Sequence, residues 1–228
     1  TLVPLWITLG LLVQVTSIGL VFGLLFGADL SEYIPFLGIS LALWSFLTQS
    51  VNDSASAFIQ SEQILKQMFI PKYFPVARVL FRNVIIFSHN LLIIPLIFGA
   101  FGTVPTAYLW LFIPGLMIVL ANVGWAATIV SIVSTRFRDF APIVGSLLTV
   151  SFYITPVIWQ PQSIPDPYRD VILRINPLYH MMELMRAPLL GSLPSVTNWV
   201  VSLGTLLLGA SAAWWVARRK AWKIVYWL

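Results

Sequence analysis

The sequence has no cysteine. That excludes a disulfide scaffold, thiolate metal sites and cysteine nucleophiles. Charge is scarce as well. Asp, Glu, Lys and Arg make up 9% of the 228 residues, against about 25% in a typical soluble domain. An ordinary soluble globular domain and a disordered tail are both excluded. The net charge of +5 rests on too few residues to mark a soluble nucleic-acid binder, and no nucleic-acid partner is expected. No phosphate-binding G-x-x-x-x-G-K-[ST] loop exists, and none of the four lysines follows a glycine. The chain cannot hydrolyse ATP by that route. A G-x-S-x-G elbow and an H-E-x-x-H pair are also missing, so no catalytic residue and no metal site is assigned. His180 and Glu183 stand three apart on an expected helix and share a face. A hydrogen bond or ion pair explains that pair more simply than a metal does.

What is present in quantity is apolar. Hydrophobic residues are 59% of the chain, and the mean hydropathy is +0.90. A helix needs about 20 apolar residues to cross the hydrocarbon core. The uncharged runs predict an all-α integral membrane protein, one domain over 1–228, with six spans near 3–26, 34–57, 84–101, 107–135, 140–159 and 196–217. The runs do not alternate as barrel strands do. The first run starts at Thr1 and is too long for a signal-peptide core, which takes about 7–15 residues. A further segment is expected before it.

Basic residues orient the spans. Lys66, Lys72, Arg78 and Arg82 follow the second span, Arg136 and Arg138 the fourth, and Arg218, Arg219, Lys220 and Lys223 the sixth. The opposite side holds only Arg169, Arg174 and Arg186. Both termini are therefore expected in the cytoplasm. The basic tail can also meet anionic membrane lipid. The long connection 160–195 contains apolar residues at helical spacing, interrupted by Pro177. It predicts two short outer-face helices within 165–190. Asp53 is the one carboxylate beside a span. It reads as an interfacial ion pair, or else as a polar lining or ion site.

Several segments, in order, resemble the type 2 ABC exporter permeases. They are Ser61-Glu62-Gln63-Ile64-Leu65-Lys66-Gln67-Met68-Phe69-Ile70-Pro71-Lys72, then Arg136-Phe137-Arg138-Asp139, then Tyr153-Ile154-Thr155-Pro156-Val157-Ile158-Trp159. Ile164-Pro165, Tyr168-Arg169, Asn176-Pro177-Leu178, Arg186 and Leu190-Gly191 complete the pattern. The resemblance runs from about residue 58 to 228, and its nearest branch exports O-antigen, capsule or teichoic-acid polymers. It implies a half-transporter in a bacterial cytoplasmic (inner) membrane. Two copies of the chain would form the conduit, and two copies of a separate nucleotide-binding ATPase would bind ATP and Mg. This chain would hold no cofactor. The cargo would be a polyprenyl-linked polysaccharide. An amphipathic cytoplasmic helix would precede the first span.

Candidate residues follow. Ile64, Leu65, Met68 and Phe69 are spaced to make one apolar helical face, with Glu62, Lys66 and Lys72 around it. That face suits either a groove on the ATPase or the lipid interface. Arg136, Arg138 and Asp139 form a second coupling candidate; positive-inside anchoring and a helix-start Asp are the alternative. Tyr33, Trp44, Phe46, Trp125, Phe152, Tyr153, Trp159 and Tyr179 are candidates for lining the cargo channel, since aromatic faces stack on sugar rings. Helix packing and interfacial belts explain the same residues. Tyr168, Arg169, Asn176, Pro177, Met181 and Met185 belong to an expected outer gate or a structural cap. Rival readings are a same-fold exporter of a small drug, haem or lipid, an ion-coupled secondary transporter, and a membrane enzyme on lipid-linked sugars. The last would need clustered carboxylates, and the eight acids here are scattered.

Overall fold

The computed structural model describes residues 3–68, 70–102 and 107–228. They are mostly helical, with no strand among them. Five helical stretches are long and apolar enough to cross a membrane. The helix α1 (Val3–Phe26) is apolar on every side. Only a stripe is covered: Thr8, Leu11, Val15, Gly19 and Gly23, at helical spacing, are buried. The next helix, α2 (Leu30–Ser54), starts on Asp29, whose carboxylate accepts from the Ser31 amide at 2.8 Å. It is the bundle's centre, buried almost continuously from Tyr33 to Leu47.

After α2 come two short pieces, α3 (Ala57–Gln60) and α4 (Glu62–Gln67). The third crossing is longer than the sequence predicts. It starts at Phe74 rather than near 84, and runs as α5 (Phe74–Asn90) and α6 (Ile93–Phe101). Its basic residues, Arg78 and Arg82, are exposed, so charge on the helix's first turns does not keep it from starting there. The break at 91–92 has a cause in Pro95, which cannot donate to the carbonyl four residues back and crowds it. Part of the hairpin expected near 99–106 lies outside the described residues. A 3₁₀ turn (Ala107–Leu111) leads into α7 (Phe112–Arg136).

The fifth crossing departs from expectation. The helix α8 (Phe140–Ile154) ends five residues before the predicted boundary. Fifteen residues span about 22 Å, short of the ~30 Å hydrocarbon core. Pro156 is the reason: it holds Thr155 in extended backbone at φ −86° and ψ 137°. A six-span count therefore is not reached by helix length alone. The chain continues through irregular backbone into α9 (Asp166–Ile175) and α10 (Pro177–Leu189), close to the expected 165–190. Asn176 joins the two. Its side-chain oxygen accepts from the amides of Leu178 and Tyr179, and its amide donates to Thr155 Oγ1 at 2.8 Å. Pro177 at the first helical position costs no hydrogen bond. The helix α10 is buried along most of its length and packs on α2, α7 and α11, so it is embedded in the bundle rather than laid upon it.

The last crossing is α11 (Val196–Lys220), followed by α12 (Ile224–Trp227). Two close approaches hold the packing. A Cβ on Gly115 would meet the Leu184 backbone carbonyl at 2.5 Å, and one on Gly209 would enter the Trp125 ring. Hence α7 touches α10 and α11 through glycine. One end of the bundle gathers the start of α2, the 3₁₀ turn before α7, α9, α10 and the start of α11. The other gathers α3, α4, the start of α5, the end of α7 and α12.

Candidate functional site

The α3–α4 end carries the expected coupling residues. Ala57 and Phe58 are buried with Val76, Val79, Ala127, Ile132 and Ile224, which anchors the segment. The helix α4 is only six residues long, and Met68 is already extended at φ −125° and ψ 141°. The single apolar face expected through residue 69 is therefore not formed. Leu65 turns inward against the cluster around Ile224, while Ile64 and Met68 are exposed, Met68 to 62%. Phe69 lies outside the described residues. Lys66 donates to Glu62 Oε1 at 2.7 Å across one turn. That hydrogen bond, then the Lys66 charge, holds the Glu62 carboxyl below the usual carboxylate range, and the Arg138 charge adds to it. The two coupling candidates therefore share one electrostatic neighbourhood. Arg136, Arg138 and Asp139 are exposed at the α7–α8 corner, and Lys72 is exposed beyond α4. The Arg136 guanidinium sits 5.2 Å from the Trp227 ring. The basic residues after the sixth span already place the C-terminus on this side; the contact of α12 with α4 and α7 comes from the packing. Asp53, part-exposed, pairs with the exposed Arg82 at 2.7 Å, an ion pair joining α2 to α5.

The aromatic candidates divide by burial. Tyr33, Trp44 and Phe46 lie inside the chain's own packing. Tyr33 donates to the Ile158 carbonyl at 2.7 Å, which ties α2 to the chain after α8. Phe46 stacks on Phe87 at 4.5 Å between ring centroids, and Trp44 meets Phe152 at 5.7 Å. Trp125 and Trp159 are half-buried, donating to Asn122 Oδ1 and to the Tyr153 carbonyl. Tyr153 alone of the eight is fully presented to the surroundings, at 68% exposure. It lies on the exposed face of α8 with Ile143, Leu147, Val150 and Ile154. The helices α1, α8 and α11 all present exposed apolar faces to the surroundings.

The opposite end is organised by Arg186. It is a lone arginine in an apolar helix, 1% exposed. It bonds Glu183, donates to Ser40 Oγ at 3.0 Å and to the Pro156 carbonyl at 2.6 Å, and lies 4.4 Å from the centre of the Phe36 ring. One side chain thus ties α10, α2 and the break after α8. The motif pattern contained Arg186, but only the fold gives it a task. Glu183 serves Arg186 rather than His180. The His180 ring instead lies 2.8 Å from Asn198 Oδ1 and 3.2 Å from the Arg174 carbonyl. Met181 and Met185 are buried in the core, so of the expected gate residues they are packing. Tyr168 is exposed, and Arg169 is part-exposed. Tyr179 is half-buried, and burial first, then the Glu183 charge, pushes its hydroxyl up to about 12. Among the described residues no His, Asp and Glu group could hold a metal ion.

A family model described as ABC-2 type transporter matches residues 5–190. A protein named O-antigen export system permease protein RfbA from Myxococcus xanthus is 29% identical over 174 residues, covering 74% of this chain and 66% of its own. Two proteins of that name from Klebsiella pneumoniae are 29% and 28% identical, each covering 71% of this chain and 62% of its own. The chain thus spans less than two thirds of the length of each of these relatives. With the match extending from α1 through α10, across both the α4 corner and the buried Arg186, the chain belongs to the ABC-2 type transporter family.

Proposed function

We propose that this chain is the transmembrane subunit of an ATP-driven exporter that moves a lipid-linked polysaccharide, of O-antigen, capsule or teichoic-acid type, across the bacterial cytoplasmic membrane. The observation that carries this reading is family membership joined to relatives named for O-antigen export. Two copies form the conduit, with Tyr153 and the exposed face of α8 as the surface offered to it. ATP and Mg bind a separate ATPase, present in two copies. That partner docks where Ile64 and Met68 are exposed beside Glu62, Lys66, Arg136 and Arg138. Both termini lie in the cytoplasm, since ten of the 13 Lys and Arg belong to the α4 end. Nucleotide binding moves the permease only if the ATPase state favours one permease conformation over the other.

The test is a mild-detergent pull-down of the full-length protein from its native cells, with export measured in parallel. An ATPase is expected at one copy per permease. Met68→Asp with Phe69→Asp is expected to leave the permease folded and to stop export while ATP hydrolysis continues. Recovery of no ATPase, with none crosslinked in intact membranes, overturns the exporter reading. Export unchanged in the double variant overturns the coupling assignment alone. One observation favours a second reading, export of a small hydrophobic compound. A cavity of about 170 Å³ is walled by Trp44, Trp125, Leu148, Leu178 and Met181 at mid-bundle depth, a size suited to an apolar molecule and not to a polymer.

A further inference from the structure

A cavity of about 400 Å³ opens at the end of the bundle away from α4, between the start of α2, the end of α10 and the 3₁₀ turn Pro161–Ser163. That volume is within the range of small-molecule sites. Each wall is held by its own backbone. The Asp29 carboxylate accepts from both the amide and the hydroxyl of Ser31, at 2.8 and 2.7 Å, which sets the first turn of α2 where Glu32 stands. The stretch that carries Gln160 and Gln162 is tied down just before them. Tyr33 donates to the Ile158 carbonyl and Arg186 to the Pro156 carbonyl, and the Ser163 amide closes the turn on the Gln160 carbonyl at 2.9 Å. At the end of α10, Gly191 takes a φ of +80°, and the Ser192 amide reaches back to the Ala187 carbonyl at 2.9 Å. That Schellman closure places Ser192 in the cavity wall.

The polar groups left unused there are of mixed kind. Arg186 sends both Nε and Nη2 to one oxygen of Glu183, Oε1, so Oε2 takes no hydrogen bond from the described residues. The Glu32 carboxylate and the side-chain amides of Gln160 and Gln162 have no hydrogen-bond partner among those residues either. A carboxylate only accepts, and a Gln amide both donates and accepts. Pro35, Phe36, Pro161 and Leu190 supply apolar wall beside them. Acceptors, amides and apolar surface together suit a ring that carries several hydroxyls, each a donor and an acceptor, on a C–H framework. They do not suit a phosphate. It would bring more acceptors and negative charge to a wall with two carboxylates and one guanidinium, and that guanidinium is already used by Glu183, Ser40 and Pro156. Arg169 lines the adjoining cavity, which shares only Pro161 and Gln162 with this one.

We propose that this cavity binds one uncharged sugar ring, with Glu32, Gln160, Gln162 and Glu183 Oε2 as the partners of its hydroxyls. Under the export reading, on which this step alone rests, the ring belongs to the cargo. The site then narrows the cargo to polymers of uncharged sugars, since an acidic or phosphate-linked chain meets the two carboxylates with no cation to spare. The binding itself needs neither ATPase nor polymer.

The test uses the full-length chain in phosphatidylcholine nanodiscs. Saturation-transfer NMR reads contact with the methyl glycosides of glucose, galactose and mannose, which differ only in hydroxyl orientation. Glucuronic acid and glucose 6-phosphate, which carry charge on the same ring, are read alongside. At least one neutral glycoside is expected to bind, and to bind better than both charged sugars. Gln160→Ala with Gln162→Ala is expected to weaken it about tenfold, the loss of one or two net hydrogen bonds. Glu32→Gln keeps the shape and removes a carboxylate, so glucuronic acid should gain on the neutral glycoside. Glu62→Gln, at the other end of the bundle, should change nothing. These variants are expected to melt near the parent, because Gln160, Gln162 and Glu32 have no side-chain hydrogen bond to lose. If no neutral glycoside binds above empty nanodiscs, the proposal is wrong. It is equally wrong if the charged sugars bind as well as the neutral ones, or if the Ala double variant binds as the parent does. None of those results touches the pull-down. A pull-down that recovers no ATPase strikes only the assignment of the ring to the cargo and leaves the measured binding standing.

Discussion

Arg186→Met removes a charge from a place where it is almost completely enclosed. Four things lose a partner at once: the Glu183 carboxylate, the Ser40 hydroxyl, the Pro156 carbonyl and the Phe36 ring. Glu183 is the costly one, because its side chain is only 17% exposed and is left charged without a cation. Breaking a buried pair in this way costs about 3–5 kcal/mol. For a chain of this size each kcal/mol moves the melting temperature by about 2–4 °C. The expected fall is on the order of 10 °C, read by tryptophan fluorescence on the purified protein during a temperature ramp. Arg186→Met with Glu183→Leu should recover much of it, since no uncompensated charge then remains. Arg186→Lys should fall between, keeping the charge and losing the fork that reaches Ser40 and Pro156 together. If Arg186→Met melts within about 2 °C of the parent, the stability argument is refuted, because a buried-pair loss cannot be that small.

Two further outcomes follow from particular contacts. Gly115→Val would push side-chain carbons into the Leu184 carbonyl. It should cost about 1–3 kcal/mol by overpacking, seen as a lower melting temperature and easier proteolysis of the α10 segment. Asp53→Asn removes a part-exposed pair with Arg82. It should change stability by less than about 1 kcal/mol and leave transport near the parent level. Transport abolished in a variant that melts normally would instead assign Asp53 to the ion or cargo path.

Composition and spacing by themselves determined a great deal here. A chain with so little charge and such long apolar runs can bury its backbone polar groups in a bilayer only as helices. The starts of α1, α8 and α11 and the pair of helices on either side of Asn176 fall where runs, prolines and capping residues place them. Motif order was enough to name the family that the comparison assigns. Local pattern also misjudged boundaries: the third crossing starts at Phe74 rather than near 84, Pro156 stops α8 early, and the apolar spacing around α4 continues past the point where the backbone turns extended. Tertiary structure decided the rest. Whether an aromatic residue is packing or surface depends on what the other helices do, so Phe46 and Tyr153 look alike in sequence and end at opposite extremes of exposure. Arg186 finds Ser40 and Pro156, residues 146 and 30 positions away. His180 on α10 meets Asn198 on α11 and the Arg174 carbonyl at the end of α9. Sequence periodicity reports one helix face at a time, and a site built from several helices exists only once their packing is settled.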